Sequence, residues 1–147
     1  MNRIALASDH GGLGLKNVLV KSLKTWGLEV EDLGTHTDAS CDYPDYAHAL
    51  ALGIVDGRYA RGILVCGTGI GMSIAANRHA GVRAAVVSDT WSARMSREHN
   101  HANVLCLGAR VVGEGLALDI VRAWIDTQAD PDPRHGRRVV KLDIPEP

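Results

Sequence analysis

The chain has 147 residues, a formal charge of −1, a sequence pI of about 6.6, and 46% hydrophobic residues. This length suits one domain, 1–147, with a sizeable core, and the charge balance gives no global field toward nucleic acid or a membrane surface. No apolar run approaches the ~18 residues of a membrane span, the start Met1-Asn2-Arg3-Ile4 leaves no room for a signal peptide, and three cysteines without metal-ligand spacing fit a reducing cytoplasm better than a disulfide framework.

Ile4–Ser8 reads as a first strand. The turn Ser8-Asp9-His10-Gly11-Gly12 leads into a helix over about Gly12–Trp26, with Leu15, Val18, Leu19, Leu23 and Trp26 on a helical period. Gly27 ends it, and Leu28–Leu33 reads as a second strand. Tyr43-Pro44-Asp45 opens a second helix, Pro44 suiting its first turn. Gly62–Cys66 is a short apolar, partly β-branched strand. It runs into Gly67-Thr68-Gly69-Ile70-Gly71 and a helix start over Met72–Ala76. Arg83–Ser88 is a fourth strand, and Asp89 caps a helix through about Glu98. Asn103–Leu107 is the fifth strand. The clearest helix follows, with Leu116, Ala117, Ile120, Val121, Trp124 and Ile125 in one stripe. Beyond it lies a basic tail, 130–142, stiffened by Pro131 and Pro133.

Strands alternating with helices predict an α/β protein: a three-layer, Rossmann-like sandwich around a five-stranded parallel sheet. The sequence leaves strand order open. Ligands of such sheets bind outside the carboxyl ends of the strands. That edge should collect Asp9 and His10, Cys66 to Gly71, Ser88 and Asp89, and Gly108-Ala109-Arg110.

Cys66 is the most informative residue. A strand–glycine turn–helix junction aims backbone N–H groups at one spot, and a thiolate there is stabilised. The site offers a base or nucleophile beside an oxyanion cradle. The competing reading is a small buried packing residue, which has no use for a Gly-Thr-Gly neighbour. Cys106, inside Val104-Leu105-Cys106-Leu107, fits the packing role, and Cys41 lies in a polar loop without a readable signal.

Two phosphate-binding motifs are absent around Cys66. A dinucleotide fingerprint wants glycine where Met72 stands, and no Gly-Lys-Ser/Thr ends a P-loop. A second, weak dinucleotide match runs from Gly12-Leu13-Gly14 through Asn17 to Asp32. His99, at the end of the fourth helix, is favoured in its charged form and suits a proton donor; metal binding would need a third ligand, and none is apparent from spacing. His101 reads as an exposed helix-end histidine, and His36, His48 and His79 as surface or structural. Arg134 and Arg138 suit one phosphate better than nucleic acid, because no other basic stripe exists and aromatics are few.

These pieces in order resemble the ribose-5-phosphate isomerase B family, which includes galactose-6-phosphate isomerase subunits. The likeness runs from Ser8-Asp9-His10-Gly11-Gly12 through Asp42-Tyr43-Pro44, Cys66 to Gly71, Ser73 to Asn77, Arg97-Glu98-His99-Asn100 and Gly108 to Gly113, to Arg134-His135 and Arg138. It implies a metal-free, cofactor-free aldose–ketose isomerase working through a cis-enediolate. Carried over by position, Cys66 is the base, Thr68 assists proton traffic and His99 opens the sugar ring. Gly67, Gly69, Ile70 and Gly71 supply the backbone cradle. Asp9, His10, Tyr43 and Asn100 contact the sugar, and His10, Arg110, Arg134 and Arg138 hold the phosphate. The resemblance also implies a homodimer or homotetramer with sites shared between subunits. One branch has Ser at the Cys66 position and Glu at that of Ile70, so this chain resembles the cysteine branch. It departs at His101, where Asp is common. Ribose 5-phosphate is the expected substrate. Galactose 6-phosphate, allose 6-phosphate or a tetrulose phosphate are alternatives within the enzyme class, and a non-catalytic phosphosugar binder is the alternative outside it.

Overall fold

Short β-rich apolar runs alternate with amphipathic segments, and in the computed structural model each run becomes a strand of one sheet. Residues 2–144 are described; Met1 and Pro145–Pro147, which the expected domain 1–147 includes, lie outside them. The elements in order are β1 (Ile4–Ser8), a 3-10 turn (His10–Gly12), α1 (Leu13–Thr25), β2 (Val30–Asp32), α2 (Tyr43–Val55), β3 (Arg61–Cys66), α3 (Ile70–Ala76), β4 (Ala84–Val86), α4 (Thr90–Glu98), β5 (Val104–Gly108), α5 (Glu114–Asp126) and α6 (Pro133–Val140).

All strand pairs are parallel, in the order β2-β1-β3-β5-β4. The chain steps to opposite sides of β1 to form β2 and β3, so the turns after β1 and β3 diverge and leave a crevice. β2 and β4 are shorter than expected from Leu28–Leu33 and Arg83–Ser88. Both are edge strands with a neighbour on one side only, and single backbone bonds run past their ends: the Leu33 N–H donates to the Leu6 carbonyl at 2.8 Å and the Val87 N–H to the Cys106 carbonyl at 3.3 Å. The three inner strands agree with the expectation to within a residue at each end.

Alternating side chains sort to two faces, as the strand period requires. Ile4, Leu6, Ile63, Val65, Leu105 and Leu107 meet α1 and α5 on one face, where Trp124 is fully buried. Ala5, Ala7, Leu64, Cys66, Val104 and Cys106 meet α2 and α3 on the other. That second face is built largely of alanine, and Phe is absent from the whole chain. Small side chains there let helix and sheet approach closely. His48 of α2 and His79 share a 2.8 Å hydrogen bond, which ties α2 to the loop after α3 and gives the pair a structural role.

Asp32, the acid of the weak dinucleotide match, is engaged elsewhere. Its two carboxylate oxygens accept from the fully buried Lys16 ammonium at 2.6 and 2.7 Å. One of them also accepts from the Gly34 N–H at 2.9 Å. A carboxylate consumed by a lysine is not free to hold a ribose, which removes that reading.

Gly12 sets how closely α1 starts against β3: a Cβ there would lie 2.4 Å from the Val65 carbonyl oxygen. Backbone cannot yield as a side chain can. Gly12→Ala is expected to lower stability by about 1–3 kcal/mol, as overpacking does, and a urea titration measures it.

The tail, expected as a stiffened run past the last helix, forms a helix itself. The Asp132 side chain caps α6 by accepting from the Arg134 N–H at 2.9 Å, and Pro133 occupies the first turn. His135 is the buried anchor of α6. Among the described residues, no helix is long and apolar enough to cross a membrane.

Candidate active site

β3 delivers Cys66 to the carboxyl edge of the sheet with only 5% of its surface exposed. The chain then turns sharply at Gly69, whose φ of 79° lies in the left-handed region that favours glycine. This turn brings the Gly69 N–H back to donate to the Cys66 Sγ at 3.1 Å. The turn rests on the end of β5 without room for side chains. A Cβ on Gly108 would come within 2.7 Å of the Thr68 backbone, and one on Gly69 within 2.9 Å of the Leu107 carbonyl carbon. Thr68 is exposed, its Oγ1 accepting from the Ile70 N–H at 3.2 Å.

Around this turn lies an open cleft of about 430 Å³ walled by Asp9, Tyr43, Thr68, Ile70 and Ile74, with Cys66 in its lining. Tyr43, at the start of α2, lies directly on Gly71: a Cβ there would be 2.5 Å from the ring. Asp9 is nearly buried and caps the 3-10 turn, accepting from the Gly12 N–H at 3.0 Å, while also lining the cleft. Asp9 is thus a cap that also borders the cleft. His10 is exposed, and its Nδ1 accepts from the Cys41 N–H at 3.2 Å. Cys41 gave no signal in the sequence because its partner lies 31 residues away. Arg110 donates its N–H to the Gly67 carbonyl at 3.0 Å, and its side chain lies over Gly67. Beneath the turn, burial and the neighbouring Cys66 push the Cys106 thiol well above the usual range, so Cys106 stays protonated and serves packing.

His99, Asn100, Arg134 and Arg138 are elsewhere. α4 starts beyond the carboxyl end of β4 and runs back along the sheet for roughly 13 Å. His99, its C-cap, and Asn100 therefore sit near the amino edge. There the Asn103 carbonyl accepts from the Gly62 N–H, four residues and roughly 13 Å below Cys66 along β3. α6 is tied to the same edge. The Asp130 N–H donates to the Glu98 carbonyl at 3.0 Å, and the His135 ring stacks on His99 with centroids 4.3 Å apart and planes 6° from parallel. Arg134 and Arg138 are exposed and about one helical turn apart on α6, with Arg134 paired to Asp132 at 3.1 Å. One chain thus gathers Asp9, His10, Tyr43, Cys66 to Gly71 and Arg110 at one edge, and the other four candidates at the opposite edge.

The fold brings two further donor groups to His99 that its sequence spacing does not show. Donor atoms of His99, Asp130 and His135 lie within 4.8 Å of one another. Contacts between α4, the tail and α6 create this cluster, and no sequence spacing announces it. The arrangement does not suit chelation. Lone pairs of parallel rings run side by side and do not converge, while the Asp130 Oδ2 lies 3.9 Å from the His135 Nε2.

Comparison with known proteins places this geometry. Residues 4–142 match the family model described as Ribose/Galactose Isomerase. The chain is 49% identical over 139 residues to ribose-5-phosphate isomerase B of Escherichia coli (strain K12), covering 95% of this chain and 93% of that protein. It is 46% identical over 129 residues to D-erythrulose-4-phosphate isomerase of Pectobacterium atrosepticum, covering 87% of this chain and 85% of that one. The solved structure of Clostridium thermocellum ribose-5-phosphate isomerase B superposes with a TM-score of 0.93 at 51% identity, over 95% of this chain and 94% of that one. The Thermotoga maritima ribose 5-phosphate isomerase structure gives a TM-score of 0.94 at 46% identity, over 97% of both chains. With nearly its whole length matched in sequence and in fold, the chain belongs to the ribose/galactose isomerase family.

Proposed function

We propose that this protein interconverts ribose 5-phosphate and ribulose 5-phosphate in the cytoplasm, with Cys66 as the base. The observation that carries this reading is the Cys66 Sγ lying in a cleft with the Gly69 N–H donating to it. A thiolate in that place removes the C2 proton of the open-chain aldose. The electrons move into a C1–C2 double bond, leaving a cis-enediolate whose oxygens face the backbone N–H groups of Gly67 to Gly71. Thr68 carries the hydroxyl proton between O2 and O1, and Cys66 returns its proton to C1. C2 ends as a ketone and C1 as a hydroxymethyl group, so oxidation at one carbon balances reduction at the other. His99 opens the cyclic sugar by protonating the ring oxygen as the C1–O4 bond breaks, while the anomeric hydroxyl gives its proton to solvent and becomes the C1 carbonyl. Tyr43, Asp9 and Asn100 hold hydroxyl groups, and His10, Arg110, Arg134 and Arg138 hold the phosphate.

This reading requires a second copy of the chain. His99 and Cys66 lie at opposite edges of one sheet, so a complete site needs the amino edge of one copy against the carboxyl edge of another. Exposed apolar side chains support that contact: Ile70 and Ile74 are 55% and 61% exposed beside the cleft, and Val140 at the end of α6 is 77% exposed. A homodimer with two such sites, or a pair of these dimers, satisfies the requirement.

The test is turnover and solvent-deuterium exchange on a panel of aldose phosphates. Ribose 5-phosphate should exchange its C2 hydrogen and form ribulose 5-phosphate. Binding without exchange would make the protein a phosphosugar binder. Inert pentose phosphates beside an active tetrulose phosphate would move the substrate to that of the Pectobacterium relative, and an active hexose 6-phosphate would move it to a longer sugar.

A further inference from the structure

The amino edge carries a concentration of positive charge that the isomerase reading does not use. Arg61 at the start of β3, Arg83 just before β4 and Arg97 in the last turn of α4 surround one opening of about 430 Å³. Asn2, His101, Asn103 and Gln128 add polar groups to its lining, while neither His99 nor Asn100 lines it.

Among the described residues, none of these three guanidinium groups forms an ion pair with a carboxylate. Each is held by carbonyl oxygens instead. Arg61 donates to Ile125 at 2.8 Å, Arg83 to His101 at 3.0 Å and to Gly81 at 3.3 Å, and Arg97 to Thr127 at 3.4 Å and also to Ala102. Arg61 and Arg97 also lie over the buried Trp124 ring, 5.7 and 5.5 Å from its centroid. The nearby acid Asp126 is engaged with Arg122 at 2.8 Å. Carbonyls and an indole orient a guanidinium but cancel little of its charge. Arginine cannot shed its proton to relieve the crowding, even though burial and the charges of Arg61 and Arg83 hold Arg97 below its ordinary value. His101, in the same lining, adds an unpartnered polar atom: among the described residues, its Nε2 is buried without a hydrogen-bond partner.

Oriented donors, accumulated positive charge and a concave opening together form a receptor for an oxyanion. We propose that this pocket binds a phosphate group, free or carried by a small phosphorylated metabolite, at a site separate from the Cys66 cleft. Free phosphate and a sugar phosphate present the same dianion to the three arginines. A metabolite adds contacts to Asn103 and Gln128.

The backbone offers a sharp test at His101. Its φ of 50° is left-handed, a region that Asp and Asn tolerate better than most residues. His101→Asp installs a carboxylate beside Arg83 and Arg97 without removing either, while His101→Asn changes the ring but adds no charge. Inorganic phosphate, and separately ribose 5-phosphate, are titrated into the intact oligomer while the arginine side-chain Nε–H signals are followed by NMR. Signals of Arg61, Arg83 and Arg97 should shift saturably in the native protein and in His101→Asn. In His101→Asp the affinity should fall at least about ten-fold, because a fixed carboxylate competes with the anion. Arg61→Gln should weaken binding without altering the His101 backbone, and it decides the matter should His101→Asp fail to fold. Equal affinity for both ligands assigns the pocket to phosphate itself. Tighter binding of ribose 5-phosphate, with Asn103 and Gln128 signals moving, assigns it to a phosphorylated metabolite. Guanidinium signals that stay still while the Cys66 cleft saturates, or that shift alike in His101→Asp and the native protein, overturn the proposal.

Discussion

Replacing Cys66 with alanine is expected to lower turnover by about 10²–10⁴ or more, the range for loss of a general base with no substitute, while sugar-phosphate binding persists. The structure supplies reasons for both halves. The neighbouring groups are poor substitutes for the base: Cys106 is fully buried and its thiol is held protonated, Thr68 is a hydroxyl engaged by the Ile70 N–H, and Asp9, in the same cleft, is committed to capping the Gly12 N–H. Binding should persist because the proposed phosphate ligands His10, Arg110, Arg134 and Arg138 do not rely on the sulfur, whose hydrogen bond comes from the Gly69 N–H. The change leaves the Cβ in place, and the glycine turn keeps its support on the end of β5. Deuterium wash-in at C2 measures the chemical step, and calorimetry with ribose 5-phosphate measures binding. Near-normal exchange in the variant would remove Cys66 from the mechanism. Alkylation offers a second route but needs Cys41→Ala as background, because Cys41 is more exposed than Cys66 and would react as well. In that background, substrate should protect Cys66 from the reagent.

Mixing two inactive variants, Cys66→Ala and His99→Asn, should restore activity if the two residues meet across subunits. Random exchange between equal amounts of two dimers makes half of them mixed, and each mixed dimer carries one intact site of two, so about a quarter of native activity should return. The physical ground is the separation along the strand and α4, which no side-chain rotation can close within one chain. Subunit exchange is verified by native mass spectrometry with one variant isotopically labelled. Proven exchange with no recovered activity would exclude a site shared in this way. The same experiment with Cys66→Ala and Arg138→Ala should behave alike, because Arg138 shares the His99 edge.

The alternation of strands and helices, the parallel sheet and the identity of its carboxyl-edge turns are local properties, and sequence pattern carried them. Apolar period and length separate strand from helix. Short connections of one hand then leave little choice but parallel strands. The Cys66 turn was legible for a similar reason: a thiol beside three alternating glycines has a meaning within six residues. What lies between distant segments was not legible. The order β2-β1-β3-β5-β4 depends on which hydrophobic faces meet, and every apolar strand offers much the same edge to its neighbours. Asp32 looked free to bind a ribose until α1 packed Lys16 against it. Cys41 meeting His10, the stack of His99 on His135, and the three arginines around one opening all join residues far apart in the chain. The placement of His99 opposite Cys66 follows from a helix running back along the sheet. Sequence placed both residues at element ends, but only the assembled fold decided which edge each end occupies, because that is set by the summed direction of every element before it.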